Sequence, residues 1–91
     1  MSNKPRFLVV DDEREVCNFF SYLLKNKGYE VETANTGKET LDKLASFQFN
    51  VALVDLKLPD NDGLNILKII KEKQPECEVI IITGYSTVKS A

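Results

Sequence analysis

Residues 51–63 have the sequence VALVDLKLPDNDG, in which an unbroken apolar run ends at an aspartate and a polar stretch follows. A continuous run of this kind is typical of a β-strand that is covered on both faces of a sheet. The Pro, Asp, Asn and Gly residues at positions 59 to 63 favour turns, and we interpret Asp60 and Asp62 as turn residues. The stretch therefore predicts a central parallel strand that opens into a loop just after Asp55.

Two other strand-like runs also end at polar side chains. Phe7 to Val10 runs into Asp11 and Asp12, and Val79 to Ile82 runs into Thr83. Open α/β sheets bind their ligands at the carboxyl ends of parallel strands, which lie along one edge. We therefore expect the polar residues at all three strand ends to share one site.

Helical patterns separate the strands. The first predicted helix ends at Gly28 and has one apolar face that we expect in the core, formed by Val16, Phe19, Phe20, Leu23 and Leu24. Alternating residues from Tyr29 to Thr33 then predict a strand at a sheet edge. Thr36 and Glu39 have the spacing of a capping box and predict the start of a second helix.

A third predicted helix carries Leu64, Leu67 and Ile70 on one face and ends before Pro75. The order of elements is β-α-β-α-β-α-β, and right-handed crossovers turn this order into a doubly wound parallel sheet with helices on both faces. Ninety-one residues suit one domain, so we expect residues 1–91 to form a single domain.

The composition excludes several classes of protein. Hydrophobic residues make up 43% of the chain and charged residues 29%, and a net charge of -2 is too small to attract partners of either sign strongly, which disfavours a nucleic-acid role. The chain has neither a signal-peptide pattern nor an apolar run of transmembrane length. Cys17 and Cys77 form neither a metal-binding motif nor a disulfide framework, so we expect reduced thiols in a cytoplasmic protein without membrane contact.

The three strand ends suggest phosphoryl chemistry with a metal ion. If the strands before Asp12 and Asp55 are neighbours, their backbones lie about 4.8 Å apart, and carboxylates at that spacing repel unless a cation lies between them. Oxygen ligands suit Mg²⁺, and a carboxylate can act as a nucleophile that becomes an aspartyl phosphate. The Thr83 hydroxyl is then placed to hydrogen-bond a phosphoryl oxygen. The chain contains no histidine, so its chemistry depends on oxygen.

Each signal also has a structural interpretation. Asp11 and Asp12 on their own are typical of a polar turn that caps the next helix. Asp55 on its own is an ordinary strand terminator, and Thr83 is a β-branched residue that ends a strand. Their joint placement at successive strand ends favours the functional interpretation, because folding alone does not require it.

Three segments, Leu8 to Glu13, Asp55 to Gly63 and Ile82 to Gly84, together resemble the receiver domain of two-component response regulators. The resemblance implies a flavodoxin-like fold with strand order 2-1-3-4-5. It also implies a phosphoacceptor signalling domain rather than an enzyme, with a histidine kinase as phosphoryl donor. The run from Thr83 to Tyr85 is similar to receivers of nitrogen-regulation-class transcription activators.

The resemblance assigns a role to each residue of the site. The acid pair Asp11 and Asp12 holds Mg²⁺ together with Asp55 and the backbone carbonyl of Lys57. Asp55 accepts the phosphoryl group, and Thr83 is the switch hydroxyl that moves onto it.

The receiver pattern continues beyond Ala91, through a fourth helix and a fifth strand that carries a phosphate-contacting lysine. We therefore expect a truncated receiver that ends just after the start of the fourth helix, with impaired phosphorylation. We also expect self-association through the exposed edge of the fourth strand.

Two other functions compete with this one. A non-switching receiver remnant would assemble through the open edge and show no response to phosphorylation. A small Mg²⁺-dependent phosphatase of the haloacid dehalogenase type would carry Asp-x-Asp after its first strand, whereas Asp11 and Asp12 are adjacent.

Overall fold

Strands and helices alternate along the chain in the computed structural model, which describes residues 4–60 and 62–82. The elements are β1 (Arg6–Val10), α1 (Arg14–Asn26), β2 (Glu30–Ala34), α2 (Gly37–Ser46), β3 (Val51–Asp55), α3 (Gly63–Lys73) and β4 (Glu78–Ile82). This is the predicted order. The expected start of a fourth helix lies outside the described residues.

The four strands form one parallel sheet in the order β2-β1-β3-β4. The first four positions of the flavodoxin-like order are therefore confirmed, and β2 is an edge strand as predicted. In the centre of the sheet, Val10 of β1 pairs with Val54 of β3. The residues that follow these two strands consequently emerge side by side.

Helices cover both faces of the sheet. On one face, α2 and α3 pack against alternate residues of β1 and β3, and the buried residues include Leu8, Val10, Leu44, Ala52, Val54, Ile66 and Ile70. On the other face, α1 packs through Cys17, Phe20 and Leu24 against Val9 and Leu53. The alternation along β1 and β3 follows from the two-residue period of a strand.

The ends of the helices follow the predicted signals. Gly28, with φ of 92°, comes just after the end of α1. At the start of α2, the Thr36 hydroxyl oxygen accepts a hydrogen bond from the Glu39 N–H at 3.0 Å. The Glu39 carboxylate accepts one from the Asn35 N–H at 2.7 Å, which is one residue before the helix cap. The capping interaction predicted for Thr36 and Glu39 is thus present in a slightly shifted form.

Some apolar residues that were expected in the core are exposed. Phe19 and Leu23 are 58% and 40% exposed, and Leu64 on α3 is 60% exposed. The prediction was wrong because it assigned too wide a stripe to each helix: α1 contacts the sheet through the narrower line of Cys17, Phe20 and Leu24.

The two faces of β4 are covered to different extents. Val79 and Ile81 pack against the core formed with α2 and α3, but Ile80 is 51% exposed on the opposite face. The reason is the position of β4 at the edge of the described sheet, while α1 lies over β1 and β2. Across residues 4–60 and 62–82, every helix is too short or too polar to span a lipid bilayer.

Candidate functional site

The ends of β1 and β3 bring three carboxylates together. Asp11 and Asp12 directly follow β1, and Asp55 is the last residue of β3. One carboxylate oxygen from each of the three lies within 4.8 Å of the others. The parallel pairing of β1 with β3 produces this arrangement. Val10 pairs with Val54, so the residues that follow them lie side by side at the same edge of the sheet.

The backbone holds Asp11 firmly in place. Its N–H donates to the Ala34 carbonyl at 3.0 Å and so extends the ladder between β1 and β2 by one residue. Its carboxylate accepts a hydrogen bond from the Glu13 N–H at 2.9 Å. Asp11 is 7% exposed, whereas Asp12 is exposed and Asp55 is half-buried. The cluster therefore has one carboxylate inside the protein and two that solvent reaches.

The electrostatic state of Asp11 reflects this position. The pKa of Asp11 is raised from 3.8 to about 6, mainly by burial; the charges of Asp55 and Asp12 contribute to this rise, and the hydrogen bond from the Glu13 N–H opposes it. A cation between the three groups would relieve this repulsion. The donor set consists only of carboxylate oxygens, and it fits Mg²⁺, a hard cation that keeps several water ligands.

The loop after β3 packs tightly on the strand end. The Gly63 N–H donates to the Leu56 carbonyl at 2.7 Å. A Cβ atom at position 63 would lie 2.5 Å from the Asp55 carbonyl oxygen and 2.6 Å from the Leu56 Cα. Only glycine therefore lets α3 start this close to the backbone that carries Asp55. Sequence reasoning treated Gly63 as a turn residue, because a close backbone approach leaves no periodic pattern.

Lys57 was predicted to contribute to the site through its backbone carbonyl and not through its side chain. Lys57 is exposed, and its backbone forms an isolated antiparallel bridge with Asp62. Asp62 caps α3 by accepting a hydrogen bond from the Asn65 N–H at 2.8 Å. The bridge fixes the backbone of Lys57, whose carbonyl is the group that the resemblance to receivers singles out.

Two residues next to the site were missed as site residues by sequence reasoning. The Asn35 side-chain amide donates to the backbone carbonyl of Asp11 at 2.8 Å. Asp60 accepts hydrogen bonds from the N–H groups of Gly37 at 2.7 Å and Lys38 at 3.1 Å, and these bonds, led by that of Gly37, lower its pKa. Asp60 thus bonds to α2 rather than only to its own turn. Neither contact has a sequence signal, because each joins a side chain to a distant backbone group.

Thr83, the fifth predicted site residue, lies outside the described residues, so its position relative to Asp55 remains a prediction.

The profile of the response regulator receiver domain matches residues 7–91 of the chain. The chain belongs to this family. Receiver domains accept phosphoryl groups from histidine kinases and bind Mg²⁺ at an acidic pocket. They are signalling domains and generally not enzymes.

Individual relatives agree with the family assignment. The transcriptional regulatory protein ZraR of Escherichia coli (strain K12) is 38% identical over 84 residues, which cover 92% of this receiver and 19% of ZraR. The alginate biosynthesis transcriptional regulatory protein AlgB of Pseudomonas putida is 34% identical over 89 residues, which cover 98% of this receiver and 20% of AlgB. The receiver therefore spans about a fifth of the length of these relatives.

Solved structures show the same fold. A CheY-like receiver domain from Methanospirillum hungatei JF-1 has a TM-score of 0.87 and 38% identity, covering 91% of this receiver and 66% of that chain. The response regulator TrrA from Thermotoga maritima, in complex with Mg²⁺ and BeF, has a TM-score of 0.81 and 34% identity, covering 94% and 75%.

Proposed function

We propose that this receiver accepts a phosphoryl group on Asp55 from the phosphohistidine of a histidine kinase. Asp11, Asp12, Asp55 and the backbone carbonyl of Lys57 would hold the Mg²⁺ ion that this transfer requires. The observation that carries the proposal is the cluster of three carboxylates within 4.8 Å, at the ends of neighbouring strands in a chain of the receiver family.

The proposed transfer uses the half-buried carboxylate of Asp55 as nucleophile. One Asp55 oxygen attacks the phosphorus and forms a new P–O bond, the P–N bond to the histidine breaks, and the imidazole nitrogen leaves with the electron pair. Bound Mg²⁺ supplies positive charge that offsets the negative charge of the phosphoryl oxygens. Asp11 stays fixed by its backbone hydrogen bonds and does not itself react.

The proposed response to phosphorylation passes through Thr83. Its hydroxyl would donate a hydrogen bond to a phosphoryl oxygen on Asp55. Support for this step comes from the position of Thr83 one residue after Ile82, which pairs with Asp55 across β3 and β4. We also propose that the receiver acts as a single domain in the cytoplasm, without direct nucleic-acid binding, as part of transcription regulation like that of ZraR.

The test is covalent labelling by acetyl phosphate in the presence of Mg²⁺, followed by intact mass measurement. We expect labelled wild-type protein, no labelled Asp55→Asn protein and normal labelling of Asp42→Asn, a control that removes an exposed carboxylate from α2. Labelling that persists in Asp55→Asn would contradict the proposal. Turnover of a phosphate ester that requires Asp11 but not Asp55 would instead support a phosphatase.

We propose a second property, self-association through β4, on a separate observation. β4 is an edge strand of the described sheet, and Ile80 is 51% exposed on it. An edge strand with an exposed apolar side chain is prone to pair with another chain. A receiver that assembles in this way without responding to phosphorylation would be an interaction module rather than a switch.

A further inference from the structure

The turn between β2 and α2 contacts both loops of the carboxylate cluster. On one side, the side chain of Asn35 donates to the backbone carbonyl of Asp11 at 2.8 Å. On the other side, the carboxylate of Asp60, in the loop after β3, accepts from the N–H groups of Gly37 and Lys38 at 2.7 and 3.1 Å. One short turn therefore connects the loop that carries Asp12 with the loop that follows Asp55.

The strand pairing does not provide this connection by itself. The described pairing of β1 with β3 ends at Val10 and Val54, one residue before the carboxylates begin. Beyond that point, mutual repulsion between the carboxylates pushes the two loops apart. A link through the turn opposes that movement from outside the cluster.

The contact with Asp60 adds a second, long-range acceptor to the cap of α2. The helix α2 already has a local cap, because the Thr36 hydroxyl oxygen accepts from the Glu39 N–H. Asp60 satisfies the two preceding amides from a position 23 residues away from Gly37. The first-turn amides of α2 are thus shared between a local acceptor and an acceptor from the loop after Asp55.

We propose that Asn35 and Asp60 are positioning residues that hold the two acidic loops at the spacing that Mg²⁺ requires. This inference rests on the proposed function of the carboxylate cluster. Residues that orient metal ligands through hydrogen bonds commonly change metal affinity when they are replaced, although they do not touch the metal. Asn35 acts on the carbonyl of Asp11, and Asp60 acts on the loop that follows Asp55.

The test measures the Mg²⁺ dissociation constant by isothermal titration calorimetry for the wild type and four variants under conditions in which all are folded. We expect Asn35→Ala and Asp60→Ala to weaken Mg²⁺ binding about tenfold. Asp60→Asn should stay close to the wild type, because its side-chain oxygen still accepts from the Gly37 N–H. Thr36→Ala is the matched control: it removes a first-turn hydrogen bond of α2 without touching either loop, and it should leave the affinity nearly unchanged.

Four outcomes would overturn the proposal. If Asp60→Asn binds Mg²⁺ as weakly as Asp60→Ala does, the charge of Asp60 and not its hydrogen bonds contributes to Mg²⁺ affinity. If Thr36→Ala weakens Mg²⁺ binding as much as Asn35→Ala and Asp60→Ala do, the loss of affinity comes from a less stable α2. Equal affinity in all variants excludes a positioning role. Wild-type protein that does not bind Mg²⁺ at all would overturn this proposal together with the proposed metal site.

Labelling of Asp55 by acetyl phosphate, scored in parallel, separates the two proposals. If the wild type binds Mg²⁺ without being labelled, the proposed phosphoacceptor function fails, and the dissociation constants still decide the role of Asn35 and Asp60. If the wild type is labelled and the variants keep its Mg²⁺ affinity, the phosphoacceptor function stands and the positioning role fails.

Discussion

Asp11 is the residue at which the site lowers the stability of the fold. Its pKa is raised to about 6, mainly by burial. Below pH 4 the folded and unfolded chains both hold the proton. As the pH rises towards 6 the unfolded chain releases the proton first, so stability falls with rising pH over this range and stays lower above it.

We therefore predict that Asp11→Asn, which cannot be charged, is more stable than the wild type at pH 7 by about 1 to 3 kcal/mol without Mg²⁺. The difference should shrink towards zero near pH 4. Urea unfolding at several pH values in the presence of a chelator measures it. A difference that is the same at pH 4 and pH 7 would show that the charge of Asp11 is not its cause.

Gly63 is the second residue for which structure and function are coupled. In Gly63→Ala the new Cβ would collide with the backbone of Asp55 and Leu56. We expect a loss of about 1 to 3 kcal/mol in the free energy of unfolding and slower labelling of Asp55, because the backbone of this proposed nucleophile has to move.

Gly28→Ala provides the comparison for Gly63→Ala. Gly28 has a φ of 92°, and a Cβ atom added there would meet no atom of residues 4–60 and 62–82 within 4 Å beyond its chain neighbours. Alanine should therefore cost about 1 kcal/mol through backbone strain alone. Labelling of folded Gly28→Ala should match the wild type. Equal labelling of both variants would mean that the contact at Gly63 serves stability alone.

At this scale, the sequence is informative where a side chain follows a strand and uninformative where a side chain reaches a distant backbone group. Asp12 and Asp55 could be placed at one edge because each stands at the end of an apolar run. Asn35 and Asp60 could not, since their partners are amides and carbonyls that every residue type carries. The close approach of Gly63 to the backbone of Asp55 and Leu56 could not be predicted for the same reason.

Among the secondary-structure elements, α1 has two neighbouring aromatic residues with different surroundings. Phe20 is half-buried and packs against the cluster of Val9, Cys17 and Leu53, whereas Phe19 is 58% exposed. We expect Phe20→Ala to lower the free energy of unfolding by about 2 to 3 kcal/mol and Phe19→Ala by less than about 1 kcal/mol. Thermal or urea unfolding of the pair distinguishes them, and equal losses would contradict the packing of α1 on the sheet.

The elements themselves were predictable because period and capping signals are local. The buried faces of the helices were less predictable, since a helix buries only those side chains that neighbouring elements cover. A sequence cannot show that Phe19, Leu23 and Leu64 lie beside this stripe and not within it. The exposure of Ile80 has a similar origin, because four apolar residues in a row do not reveal which face of an edge strand is covered.

For the molecule as a whole, the proposed self-association concerns the edge of β4. If its edge mediates self-association, Ile80→Lys should shift the protein towards the monomer, because a charge on an edge strand opposes pairing. Analytical ultracentrifugation over a range of concentrations measures this shift. Leu64→Lys is the control, since it removes a similarly exposed apolar residue from α3. Wild-type protein that stays monomeric at every concentration would rule out the proposed assembly.

The two cysteines lie at opposite ends of the sheet. Cys17 packs beside the carboxylate cluster, with its thiol near the Asp11 carbonyl at 3.5 Å, and Cys77 directly precedes β4 at the other end. Burial raises the pKa of Cys17 to about 11 and also raises that of Cys77. Both thiols are therefore shielded in the closed protein, and a thiol reagent reaches them through local opening. The chain thus carries one natural thiol probe of local opening at each end of the sheet. The modification rates of Cys17 and Cys77, measured separately, can show whether a bound ligand reduces opening only at the end where it binds or throughout the molecule.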